Sequence, residues 1–159
     1  MLDLRQVGFA HPDAALLIAE VQAEYVVRYG SPDQTPIDPT VFDAPAGAFY
    51  VGYLDSVPVA TGGWRFRPDV TALGGSVAAE IKRMYVAPAA RRTGLARVVL
   101  AHLESTALEA GADVMVLETG LRQPEAIDLY LSCGYEPIEG FGYYKDYPNV
   151  RYYGRRLST

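Results

Sequence analysis

Apolar and polar side chains alternate from Leu2 to Val7, the two-residue period of a short strand. At Pro12 the period changes. Proline is tolerated in a first helical turn, and Ala15, Leu16, Ile18, Ala19, Val21, Gln22 and Val26 then mark one face of a helix that Gly30 stops. Residues 31–46 carry four prolines and predict an irregular connection. Gly47–Leu54 and Val57–Phe66 read as two strands joined by a hairpin turn at Asp55-Ser56. After a loop from Pro68 to Gly75, Val77–Val86 predicts another strand, ended by Pro88.

A second helix is predicted from about Gly94 to Ala110, with Leu95, Val99, Leu103 and Ala107 recurring every fourth residue and Gly111 closing it. Asp113–Glu118 is a strand, Pro124–Cys133 a helix closed by Gly134, and Tyr135–Ile138 a short extended piece. Tyr143–Asn149 is a tyrosine-rich loop before a final strand, Val150–Leu157. The order β-α-β-β-β-α-β-α-β-β predicts an α/β fold around one mixed sheet. With 159 residues, one domain spanning 1–159 is expected.

Half the residues are hydrophobic and 21% are charged, a globular composition. The net charge of −5 argues against a nucleic-acid partner, because such affinity rests on neutralising phosphates. Cys133 is the single cysteine, which excludes an intramolecular disulfide and a cysteine-based metal cluster, and suits a reducing cytoplasm. No start resembling a signal peptide and no stretch long enough to span a membrane is visible, so a cytoplasmic protein without metal or membrane partner is expected.

The chemistry concentrates where the fourth predicted strand leads into the second helix, through Arg91-Arg92-Thr93-Gly94-Leu95-Ala96. Gly94 allows a sharp turn and close approach of a ligand to backbone. The first helical turn leaves N–H groups unpaired, and with the helix dipole these attract anions. Arg91, Arg92 and Arg97 surround that turn. Such a turn can cradle a diphosphate; the same residues also make an ordinary helix start with exposed arginines. The P-loop and dinucleotide-binding glycine patterns are both missing.

Arg91-x-x-Gly94-x-Ala96 resembles the Q/R-x-x-G-x-G/A signature of the GNAT superfamily of acyl-CoA-dependent N-acyltransferases. The lead-in Glu80-Ile-Lys-Arg-Met-Tyr-Val-x-Pro88 is similar to the strand before that signature. Leu117-Glu-Thr-Gly120 and Glu125-Ala-Ile-Asp-Leu-Tyr130-Leu-Ser-Cys-Gly134-Tyr135 resemble the family's next strand and helix. The likeness runs from about residue 77 to 157, whereas residues 1–76 agree in element order without a motif. The resemblance implies a mixed, splayed sheet of six or seven strands flanked by three or four helices. It also implies acetyl-CoA as cosubstrate, with its pyrophosphate on the backbone of residues 92–97 and its pantetheine arm along Met84, Tyr85 and Val86.

The implied reaction is direct attack of a primary amine of a small molecule or peptide on the thioester. A lysine-like amine is less than about one part in a thousand neutral at pH 7, so a general base helps. By its place in the strand, Glu80 matches a catalytic glutamate of some family members; otherwise it is a strand glutamate, partly exposed or paired with Lys82. Tyr130 matches the family's tyrosine aimed at the coenzyme sulfur, and would act as general acid; otherwise its ring packs in the core. The family often has asparagine before the last helix, where this chain has Gly120-Leu-Arg-Gln123, and Arg122 there could reach the phosphates or face solvent.

Tyr25 and Tyr29 share a helix face, and Tyr143, Tyr144 and Tyr147 lie in the late loop. With Trp64 and Phe66 they could wall an acceptor site and hold a cation over their rings, or pack at a dimer interface. Cys133 is expected to be buried and structural, His102 a surface or boundary residue, and His11 part of the turn into the first helix. A homodimer through an edge strand is the expected assembly, with no motif behind it. The rival to an enzyme is a non-catalytic acyl-CoA sensor or partner subunit, which would need the loop but neither Glu80 nor Tyr130.

Overall fold

The computed structural model describes residues 1–158. The strands are β1 (Asp3–Gln6), β2 (Gly47–Leu54), β3 (Val57–Phe66), β4 (Ala78–Val86), β5 (Val114–Gly120), β6 (Glu136–Pro137) and β7 (Val150–Arg156). The helices are α1 (Pro12–Tyr29), α2 (Leu95–Glu109) and α3 (Pro124–Ser132). The seven strands form one sheet in the order β1-β2-β3-β4-β5-β7-β6. This is the expected mixed α/β fold. The proline-rich connection is irregular as expected, apart from a 3-10 turn at Pro39–Phe42 that buries Phe42.

Local chemistry explains the turns. Asp55 and Ser56 have φ of 49° and 67°, the doubly left-handed geometry that matches the twist of a two-residue hairpin. His11 caps α1 by accepting the Asp13 N–H on its Nδ1 at 3.1 Å. Gly30, at φ 83°, ends that helix and donates its N–H to Val26 O.

Alternation along β2 assigns the two faces. Ala48 and Tyr50 pack with Trp64, Ile81, Leu100 and Leu103 beneath α2. Phe49, Val51 and Tyr53 pack with Leu17, Val21 and Phe42 beneath α1. Full burial of leucines such as Leu100 and Leu103 contributes roughly 1.5–3 kcal/mol each. Trp64 and Phe66 therefore lie on the α2 side, where Trp64 Nε1 donates to Thr106 Oγ1 at 3.0 Å. They do not join the α1-side aromatic wall that the sequence suggested.

β4 departs from regularity in the middle. Thr61 stands opposite Tyr85 and Gly63 opposite Lys82, so Arg83 and Met84 together face the single residue Gly62. Arg83 has a φ of 55°, which marks a β-bulge. β4 also pairs with β5 only over Ala78–Glu80 against Val114–Val116, the sheet's parallel step. β5 meanwhile stays paired with β7 to Gly120, so beyond Glu80 the sheet opens into a V.

Candidate active site

The V holds two cavities that share a wall. The larger, about 600 Å³, runs from the bulge of β4 to the start of α2 and ends at α3. At its α2 end Arg92 (φ 64°) and Gly94 (φ 80°) are both left-handed around Thr93. Such alternation turns successive N–H groups towards one point and forms an anion concavity. Gly94 is the cap residue of α2, and no side chain satisfies the first-turn N–H groups. A Cβ built on Gly94 meets nothing within 4 Å, so the concavity is open, although its φ would strain any other residue. These features fit a diphosphate held by backbone.

The arginines divide their work. Arg91 donates its Nε to Val86 O at 2.8 Å and pairs with Glu24 of α1. Arg97 donates to Ser132 Oγ at 2.6 Å and lies 3.2 Å from Cys133 Sγ. Both brace the loop, and Arg92 alone of the three has no partner among the described residues. Thr93 is a brace too, its hydroxyl donating to Ala90 O at 2.6 Å, and it does not border the cavity. Met84, Tyr85, Val86, Leu95 and Ala96 all border it, as does Tyr130. Cys133 is half-buried rather than enclosed, with Arg97 against its sulfur.

Tyr130 is buried, its ring edge-on to Tyr135 at 5.7 Å. Burial pushes its hydroxyl well above the usual phenol range, so it keeps its proton. Its hydroxyl has no hydrogen-bond partner among the described residues, and the residue borders the cavity, which leaves the hydroxyl free to donate.

Glu80 is placed differently from the sequence expectation. It is 1% exposed and borders neither cavity. Its Oε1 accepts from Arg65 Nε at 3.0 Å and from Arg67 Nη1 at 2.7 Å. Lys82, its anticipated partner, instead lies 3.6 Å from Asp33 and 3.5 Å from Glu118. The register explains this, because Arg65 is the cross-strand neighbour of Glu80.

The smaller cavity, about 320 Å³, is walled by Tyr25 and Tyr29 of α1 and by Tyr144 and Tyr147 of the late loop. Tyr144 Oη accepts the Gln34 N–H at 2.7 Å and so joins the two loops. Burial raises Tyr25 to about 12, against the lowering effect of Arg83. Tyr143 meets Tyr144 edge to face, with ring centroids 4.8 Å apart, and does not border the cavity.

The floor carries charges that the sequence reading missed. Arg83 and Glu118 border both cavities, while Asp33 and Lys82 border the smaller. Burial would raise the Asp33 carboxyl, but Lys82 and Arg83 outweigh it and hold the group well below the usual range. Glu118 goes the other way, with burial raising it and Lys82 only partly compensating. A signal existed for each. Glu118 continues the Val114, Val116 face of β5, and a carboxylate on a buried face is rarely idle. Asp33-Gln-Thr35 is an Asx-type turn whose Asp33 Oδ1 accepts both N–H and hydroxyl of Thr35.

The roof crosses the V. Arg28 donates to Arg122 O and Arg122 to Arg28 O, each at 2.8 Å, which ties α1 to the β5–α3 loop. Arg122 is exposed, and its Nη1 is engaged in this clasp. Gln123 adds a bond to Tyr29 Oη at 3.2 Å. No group of side chains suited to a metal occurs among the described residues, and no helix among them is long and apolar enough to cross a membrane.

Residues 17–135 match the profile of the Acetyltransferase (GNAT) family. The uncharacterized N-acetyltransferase YjgM of Escherichia coli K12 is 31% identical over 137 residues, covering 81% of this chain and 78% of that protein. An IAA acetyltransferase of Azospirillum brasilense is 40% identical over 65 residues, but that match spans 41% of this chain and only 42% of the relative. Among solved structures, a Klebsiella pneumoniae protein assigned as an acyl-CoA N-acyltransferase superposes with a TM-score of 0.79 at 22% identity, covering 99% of each chain.

Proposed function

Since the chain belongs to the acetyltransferase (GNAT) family, we propose that residues 1–159 act as one catalytic unit moving an acetyl group from acetyl-CoA to a primary amine. The observation that carries this reading is the shared wall: the cavity beside the anion concavity and the cavity with the titratable floor meet at Arg83 and Glu118. Cosubstrate and acceptor can therefore meet across the opened strand pair.

In this reading the backbone of residues 92–97 holds the pyrophosphate, and the β5-facing edge of β4 beyond Glu80, along Met84, Tyr85 and Val86, holds the pantetheine arm. Acetyl-CoA supplies an activated thioester when bound. Backbone N–H groups released near the bulge would stabilise charge developing on the thioester oxygen. Tyr130, protonated and without a partner, donates to the departing sulfur.

Two carboxylates compete for the base. Glu80 sits behind two arginines that consume its Oε1, and could reach an amine only through water. Glu118 borders the junction and is raised by burial, which brings its affinity for a proton closer to working pH. We assign the base to Glu118 and a scaffold role to Glu80. A non-catalytic acyl-CoA binder would need neither an open second cavity nor an unpartnered Tyr130 hydroxyl.

The test is release of free thiol from acetyl-CoA across a panel of amines. Amine-dependent release supports the enzyme. Tight acetyl-CoA binding with no release from any amine points to the binder, and absence of acetyl-CoA binding removes the reading.

A further inference from the structure

The acceptor cavity holds more hydrogen-bond donors than its carboxylates can use. Asp33 is fully engaged: Oδ1 accepts from Thr35 N at 2.9 Å and Thr35 Oγ1 at 2.7 Å, and Oδ2 takes Arg83 with Lys82 at 3.6 Å. Arg83 has five N–H donors, yet among the described residues only its Nη1 has a partner; its Nε is closed off from the cavity, and Nη2 is the donor left open to an incoming group. Lys82 is 5% exposed and, among the described residues, makes only long ion pairs, at 3.5 and 3.6 Å. Charged donors left unmet in a cavity are costly, and an incoming anionic group at Arg83 Nη2 and Lys82 would satisfy them.

One carboxylate, Glu118, remains for an amine. It stands 3.5 Å from Lys82, so an amine at Glu118 and an anion at Lys82 and Arg83 would be only a few bonds apart. A cavity of about 320 Å³ fits a small molecule, at the lower end of ligand pockets. A polyamine or aminoglycoside would add positive charge beside two cations and leave their donors unmet.

Building on the acetyltransferase reading, we infer that the acceptor is a small amino acid-type zwitterion. Its amine lies at Glu118, its carboxylate at Arg83 and Lys82, and its side chain among the tyrosines.

The test compares kcat/KM of the full chain for matched sets: an L-amino acid, its carboxamide and its decarboxylated amine, for example phenylalanine, phenylalaninamide and phenethylamine, with methionine and glutamine sets beside it. The acid is expected to exceed its amide and amine by about thirtyfold or more, the scale of an unmet buried charge. In Arg83→Gln the ratio of acid to amide should fall towards one, through a higher KM for the acid. Because Arg83→Gln could fail to fold, the wild-type ratio decides by itself. Thermal stabilisation of the CoA-loaded protein by the N-acetyl acid, but not by the N-acetyl amide, is a second readout. If amides or decarboxylated amines turn over as well as the acids, the inference is overturned while the acetyltransferase reading stands. If no amine of any kind releases CoA, the reading and the inference both fall.

Discussion

The two cavities that meet at Arg83 are built from different materials. The larger is framed by backbone: two left-handed residues, an uncapped helix start, and a strand edge that has lost its neighbour. The smaller is framed by side chains from five separate stretches, among them a loop at Asp33, the middle of β4, the end of β5, and the tyrosine loop. A backbone site tolerates many side chains but few changes of conformation. A side-chain site tolerates loop variation but depends on each charge. On the proposed roles, one cavity would be common to relatives with different acceptors, and the other would set which acceptor enters.

Variants can break that division, beginning with the largest effect. Glu118→Gln should lower kcat/KM for the amine about a hundredfold or more, the usual yield of a general base, with acetyl-CoA affinity nearly unchanged by calorimetry. The ascending limb of its pH–rate profile, which should lie above the ordinary glutamate range in the wild type, should vanish. If Glu80→Gln removes that limb instead, the assignment is reversed. The expected outcome for Glu80→Gln is loss of stability, about 2–4 kcal/mol in denaturant titration, because Arg65 (side chain 15% exposed) would keep buried charge without its partner while Arg67 retains Asp69.

Tyr130→Phe should cost about tenfold in kcat, less than a full general-acid effect since a thiolate leaves readily, with little change in acetyl-CoA binding. Gly94→Ala tests the backbone cavity: forcing φ 80° on alanine costs about 1 kcal/mol. It should weaken acetyl-CoA about fivefold, with the acceptor KM less affected.

The smallest effect is on stability against pH. Asp33 is lowered in the fold, so its pairing stabilises above its unfolded value of about 3.9 and that stability is lost as pH falls through the folded value. Glu118 is raised and has the opposite sign, its ionisation opposing the fold as pH rises through its folded value. Melting curves of Asp33→Asn should therefore fall less steeply below about pH 4 than those of the wild type.

Most of the fold was legible because alternation and helical spacing are local signals; β2, β3 and α2 follow directly from their apolar positions. The left-handed turn into α2 was legible because one glycine and a helix start suffice to describe it. The bulge at Arg83 was not, since a left-handed arginine within a strand leaves no trace in residue type. Nor was the floor of the smaller cavity, where Asp33 and Lys82 meet across 49 residues of chain. The clamp on Glu80 was hidden for the same reason: Arg65 becomes its neighbour only through the β3–β4 register.

The arginine clasp over the V has a consequence for kinetics. The clasp joins α1 to the β5–α3 loop, and on the proposed roles acetyl-CoA would enter by a door beside α2 and the acceptor by one beside Tyr144 and Tyr147. On the proposed roles, neither substrate blocks the other's door. Initial-rate plots should then intersect as for a ternary complex, binding need follow no fixed order, and the acetylated product can depart while spent coenzyme is still in place.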